Sequence, residues 1–138
     1  MTTQPTSQRL QEVCKEKGVT VESEYVWFKW SGSDIPLTQT LDWLGYASRT
    51  YEIIAPALTF EEAWKLLPES FNYKGEDATL DMWKSDGTEG MIESAFCAKY
   101  RIWDRPILAS FHHDENPAEA IVQLLIWVIE SGYWKEQS

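Results

Sequence analysis

Asn116-Pro117-Ala118-Glu119-Ala120-Ile121-Val122-Gln123-Leu124-Leu125-Ile126-Trp127-Val128-Ile129 is the stretch on which the fold turns. An asparagine oxygen can accept from the free N–H groups of a first helical turn, and proline suits the next position because no N–H is needed there. Asn116 therefore reads as an N-cap, Pro117 as N1 and Glu119 as N3. Ile121, Leu124, Leu125 and Val128 recur at helical spacing, and Gly132 ends the helix. Val122, Ile126, Trp127 and Ile129 carry the apolar surface around nearly the whole circumference. Such a helix is either buried on several sides or presents an apolar patch to a partner, a second copy of the chain being the simplest.

Upstream, residues 78–85, 91–103 and 107–112 read as a three-stranded antiparallel meander, with turns at Asp86-Gly87-Thr88-Glu89-Gly90 and Asp104-Arg105-Pro106. Side chains alternate along a strand, so Ile92, Phe96, Ala98, Tyr100 and Ile102 share one face of the middle strand. If helices cover that face, the other presents Asp81, Trp83, Glu93, Lys99, Arg101 and His112. Thr59 and Glu62 make a capping box for a second helix with a stripe of Phe60, Ala63, Trp64 and Leu67, stopped by Pro68.

Residues 24–30 read as a strand with apolar side chains on both faces, Val26, Phe28 and Trp30 against Tyr25 and Trp27. Residues 51–54 read as a short strand ended by Pro56. A first helix is expected with Thr6 or Ser7 as its cap, Leu10, Val13 and Cys14 on its buried side, and Gly18 beyond its end. Between 34 and 50, Leu41, Trp43, Leu44 and Tyr46 follow no period, and the segment reads as a loop packed by its own side chains. The polar ends, 1–6 and 135–138, are expected to fray. The class that results is α+β: one domain over 1–138, with an antiparallel sheet made of the meander plus the N-terminal strand and helices mainly on one face.

The 138 residues carry a net charge of −10, which disfavours direct contact with nucleic-acid phosphates and anionic membranes. No apolar run is long enough to span a bilayer, the N-terminus has no secretory pattern, and Cys14 and Cys97 form no motif. These features point to reduced thiols in a cytoplasmic protein without a cofactor. Aromatics make up 14%, with 8 tryptophans, more than a chain of this length needs, so core filling and a partner surface both come into view.

Candidate chemistry is thin. His112-His113-Asp114-Glu115 holds metal-ligand types, but adjacent strand residues point to opposite faces, and the segment reads as the turn before a helix N-terminus. Cys97 shares a strand face with Lys99 and Arg101, which would lower a thiol pKa if they are close, and His112 lies on the neighbouring strand; a Cys with a His is the minimum for a thiol nucleophile. No phosphate-binding glycine motif is present. Glu69, Glu76, Asp77, Asp81, Asp86, Glu89 and Glu93 form an acidic stretch that either keeps a small domain soluble or imitates the charge of DNA.

Residues 55–68, Ala-Pro-Ala-Leu-Thr-Phe-Glu-Glu-Ala-Trp-Lys-Leu-Leu-Pro, together with 116–127, resemble small orphan proteins of phages and prophages over roughly 50–132. That resemblance implies a mobile-element accessory role and supplies no functional residues. The expectation is a non-enzymatic protein that binds a protein partner or itself, with Trp83, Lys99, Arg101 and Trp127 as the contact face. The alternatives are an acidic decoy for a nucleic-acid-binding protein and a small enzyme using Cys97 and His112.

Overall fold

Two antiparallel sheets organise the chain, where one was expected. The computed structural model describes residues 1–85, 95–102, 109–113 and 116–134. In chain order its elements are α1 (Gln4–Lys17), β1 (Tyr25–Trp30), β2 (Leu37–Thr40), α2 (Leu41–Gly45), β3 (Tyr51–Pro56), α3 (Phe60–Leu66), β4 (Ser70–Tyr73), β5 (Glu76–Ser85), β6 (Ala95–Ile102), β7 (Ala109–His113) and α4 (Pro117–Glu130). The α+β class holds. The N-terminal strand, however, does not join the meander: it is the centre of its own sheet, ordered β2-β1-β3, while the meander lies in a sheet ordered β4-β5-β6-β7.

The meander gains β4 through a two-residue turn. Lys74 and Gly75 adopt φ of 51° and 89°, and Asn72 Oδ1 accepts from the Gly75 N–H at 2.9 Å. Two successive positive φ values match the right-handed twist of a hairpin, and glycine removes the steric cost at the second. The register sets Ala78 opposite Ile102, Leu80 opposite Tyr100 and Met82 opposite Ala98. Ala98, Tyr100 and Ile102 are buried, as the strand alternation predicts.

α4 packs on this face and also touches α1 and α3. Asn116 accepts from the N–H groups of Ala118 and Glu119, as read from the sequence. Ile121, Val122, Leu124, Leu125 and Val128 are wholly buried. The wide apolar girth of α4 is thus largely enclosed by its own chain. Trp127 joins Phe71, Tyr100 and Tyr133 in an aromatic cluster, and the Tyr100 hydroxyl donates to the Pro68 carbonyl at 2.6 Å.

The N-terminus is pinned, not frayed. Thr2 is buried, its N–H and hydroxyl both donate to the Leu58 carbonyl, and Trp27 Nε1 donates to the Thr2 carbonyl at 2.9 Å. Thr3, not Thr6 or Ser7, is the N-cap of α1, and it makes no cap bond of its own. A carboxylate from another helix supplies the missing acceptor: Glu119, buried at 4% exposure, takes bonds from the Thr3 N–H at 2.9 Å and from the hydroxyls of Thr3 and Thr6. A negative charge at a helix N-terminus is favourable, and α1 has no acid in its own first turn. α1 therefore lies as a seam, against α4 on one side and β3 on the other.

Residues 34–50 are more regular than a loop, since they contain β2 and α2. Thr40 caps α2 by accepting from the Trp43 N–H at 3.2 Å. Leu44 then reaches Val26 and Phe28 to form a small second core, flanked by Trp30 and Tyr51. The capping box of α3 is present as predicted, and Glu62 also accepts from Ser23 Oγ and the Glu24 N–H, tying α3 to the entry of β1. Trp64 departs from the predicted stripe: it is 40% exposed and stacks on Phe60.

Candidate functional site

The residues expected to make one contact face are divided between two sides of the larger sheet. In register, Asp81 lies opposite Lys99, Trp83 opposite Cys97, and Cys97 opposite His112. Lys99 is buried at 7% exposure with Nζ 3.9 Å from the Asp81 carboxylate, and exposed Arg101 reaches the same carboxylate at 3.7 Å. Alternation along β6 points Lys99 and Arg101 away from Tyr100, whereas Trp127 packs beside Tyr100. Trp127 therefore cannot share a surface with them.

Of the acidic stretch, Glu69, Glu76, Asp77 and Asp81 are among the described residues. Glu76 and Asp77 are adjacent on β5 and so face opposite ways, Asp81 is engaged by two cations, and Asp86, Glu89 and Glu93 lie outside the described residues. Cys97 is 1% exposed. Cys14 is buried as well, and burial pushes its thiol pKa up, away from a reactive thiolate. Among the described residues no three of His, Cys, Asp and Glu converge as metal ligands; Asp114 and Glu115 are not among them. Nor is any described helix long and apolar enough to cross a membrane.

The exposed apolar surface lies elsewhere. Of eight large hydrophobic side chains exposed among the described residues, Ile35, Leu37, Leu41, Trp43, Tyr46 and Ile53 come from the smaller sheet, its helix and the residues that flank them. Beside them Trp30, Trp43, Tyr46, Ala47, Ser48 and Arg49 enclose an open pocket of about 380 Å³. Each wall has a local cause. Trp30 ends β1, and the Ser31-Gly32 turn is closed by the Ser33 N–H donating to the Trp30 carbonyl at 3.0 Å. Tyr46 ends α2, where its N–H donates to the Trp43 carbonyl and the Ala47 N–H to the Leu44 carbonyl.

Trp30 is held in place by edge contacts from Phe28 at 5.2 Å and Tyr51 at 6.5 Å, and it meets Trp43 edge-on at 6.1 Å. The Arg49 guanidinium lies over the Trp30 ring, 5.2 Å from its centroid. A cation over a ring face still has N–H donors to offer to an acceptor. Arg49 has no ion-pair partner among the described residues. The pocket thus combines aromatic surface with an available cation, on a chain whose net charge is −10.

No protein-family model, curated protein or solved structure matches this chain. The functional reading therefore rests on surfaces. A second groove, about 400 Å³, runs along the seam of α1, α4 and β7 and is lined by Phe111, Ile126 and Trp127. Its charged rim is self-satisfied, because Arg9 pairs with Glu130. Sequence reading missed Trp30, Trp43, Tyr46 and Arg49 as a group. The available signal was the lack of period in 34–50, since apolar residues that follow no helix or strand spacing cannot all face one core.

Proposed function

We propose that this is a non-enzymatic binding protein that engages a protein partner through the surface formed by residues 35–53, centred on Trp43 and Tyr46. The observation that carries this reading is the 49% exposure of Trp43 and the 91% exposure of Tyr46, in a stretch of chain that also holds four exposed aliphatic side chains, Ile35, Leu37, Leu41 and Ile53. Large rigid aromatic rings lose little conformational freedom on binding and dominate interface energetics, while isolated exposed hydrophobics are ordinary. Concentration in one region is what favours a contact surface. Residence in a reducing, cytoplasmic compartment belongs to the same proposal, supported by two free thiols. The test is affinity capture from nuclease-treated host lysate, comparing wild type with a Trp43→Ser/Tyr46→Ser double variant of unchanged stability. A near-stoichiometric partner that disappears with the double variant supports the reading. Equal recovery by both proteins overturns it.

A further inference from the structure

The cation in the pocket says something about what the partner brings. Arg49 already lies against the face of Trp30, 5.2 Å from the ring centroid, so a cationic side chain entering there meets like charge. A polyphosphate chain meets one guanidinium in the pocket of an acidic protein, with Asp42 and Glu52 close by in sequence. A single carboxylate fits better. It can pair with the N–H donors of Arg49 in the bidentate geometry that guanidinium favours. The remaining walls, Trp43 and Tyr46, offer flat apolar surface for a neighbouring side chain. The pocket is open to solvent and its Tyr46 wall is exposed, so it admits a continuous chain as well as its end.

Building on the proposed binding role, we infer that this pocket receives an acidic peptide segment of the partner, in which an Asp or Glu carboxylate pairs with Arg49 while an adjacent aromatic or aliphatic side chain packs on Trp43 and Tyr46. The probes are short blocked peptides with Glu or Asp beside Phe or Leu, the same peptides with Gln or Lys in place of the acid, and a short oligothymidine. The readout is the indole N–H resonances of Trp30 and Trp43 in ¹⁵N spectra of the full chain. The acidic peptides shift these resonances. Arg49→Gln weakens that binding at least about tenfold, the size of one charge-assisted hydrogen bond, and Arg49→Glu restores binding to the Lys peptides instead. Equal binding of Glu and Gln peptides, unchanged binding to Arg49→Gln, a response to oligothymidine alone, or no response to any peptide each overturns the inference. If the cellular partner is lost with Trp43→Ser/Tyr46→Ser but kept with Arg49→Gln, the binding surface stands and the acidic segment falls. If it survives both, the binding surface itself falls.

Discussion

The two sheets face the same problem, covering an apolar face, and solve it to different extents. The larger sheet is roofed by α4, whose fourteen residues extend about 21 Å at 1.5 Å per residue. The smaller has α1 against β3, and over Val26 and Phe28 it has only α2, whose five residues extend about 7.5 Å. A roof that short buries Val26, Phe28 and Leu44 but leaves Trp30 and Tyr51 only partly covered and Leu37 and Ile53 exposed. The tryptophans divide accordingly. Trp127 lies in an aromatic cluster against the main core, while Trp43 stands at the surface. The aromatic residues of one small chain are therefore split between a packed cluster and an exposed surface.

The sharpest way to break that comparison is to make the same deletion in both cores. Leu124→Ala, in the wholly buried stripe of α4, should destabilise by about 2–5 kcal/mol in urea denaturation. Leu44→Ala, equally buried but in a core of three buried residues flanked by partly exposed Trp30 and Tyr51, which are able to close in, should cost no more than about 2 kcal/mol, the low end of that range. Equal losses would mean that the two cores are equally well packed.

The seam between them is the next target. Glu119→Ala strands the Thr3 N–H and two hydroxyls in a partly buried site and should cost about 1–3 kcal/mol. Hydrogen exchange should quicken over residues 2–10 while the amides of α4 beyond its first turn stay protected. Unchanged exchange at residues 2–10 would remove the carboxylate from its role as a cap.

Tyr100 and the α3 cap sharpen the comparison through pH. Burial raises the Tyr100 phenol pKa above its ordinary value near 10. The unfolded chain then loses this proton first, so stability holds below about pH 10 and falls as pH rises beyond it. Tyr100→Phe should flatten that alkaline limb at a cost of about 1 kcal/mol for the lost bond to Pro68. On the acid side, burial pushes the Glu62 carboxyl up, but bonds from the Thr59 and Glu24 N–H groups and the Ser23 and Thr59 hydroxyls outweigh it and leave the pKa lowered. Its contribution is present above the ordinary carboxylate range and is lost as pH falls through the lowered value. Thr59→Ala should cost about 1 kcal/mol, and Glu62→Gln should reduce the acid sensitivity of unfolding.

The smallest effect on stability is expected where the effect on binding is largest. Trp43→Ser and Tyr46→Ser should each change stability by no more than about 0.5 kcal/mol, as surface substitutions do. A larger loss for Tyr46, at 91% exposure, would argue that the ring packs in solution and is not held out for a partner.

Much of this molecule is local in origin and was legible from residue order. Asn116 and Pro117 start α4, Thr59 and Glu62 box α3, Gly18 closes α1 with φ of 68°, and alternation along β6 assigns Phe96, Ala98, Tyr100 and Ile102 to one face. Caps and periods act over a few residues, so the sequence states them directly. What it did not state depends on partners far along the chain. The N–H of the N-cap Thr3 is taken by Glu119, 116 residues away, and with the bonds of Thr2 to Leu58 and Trp27 this makes an apparently loose end part of the seam of the fold. Lys99 was expected at a surface and is buried with Asp81 in reach; Trp127 was expected beside it and lies across the sheet. The sequence by itself determined the class and the main elements, because each follows from short-range sterics and hydrogen bonding. Only the tertiary structure decided that there are two sheets and that Trp30, Trp43, Tyr46 and Arg49 gather at one edge, because which faces are covered depends on the reach of the helices above them.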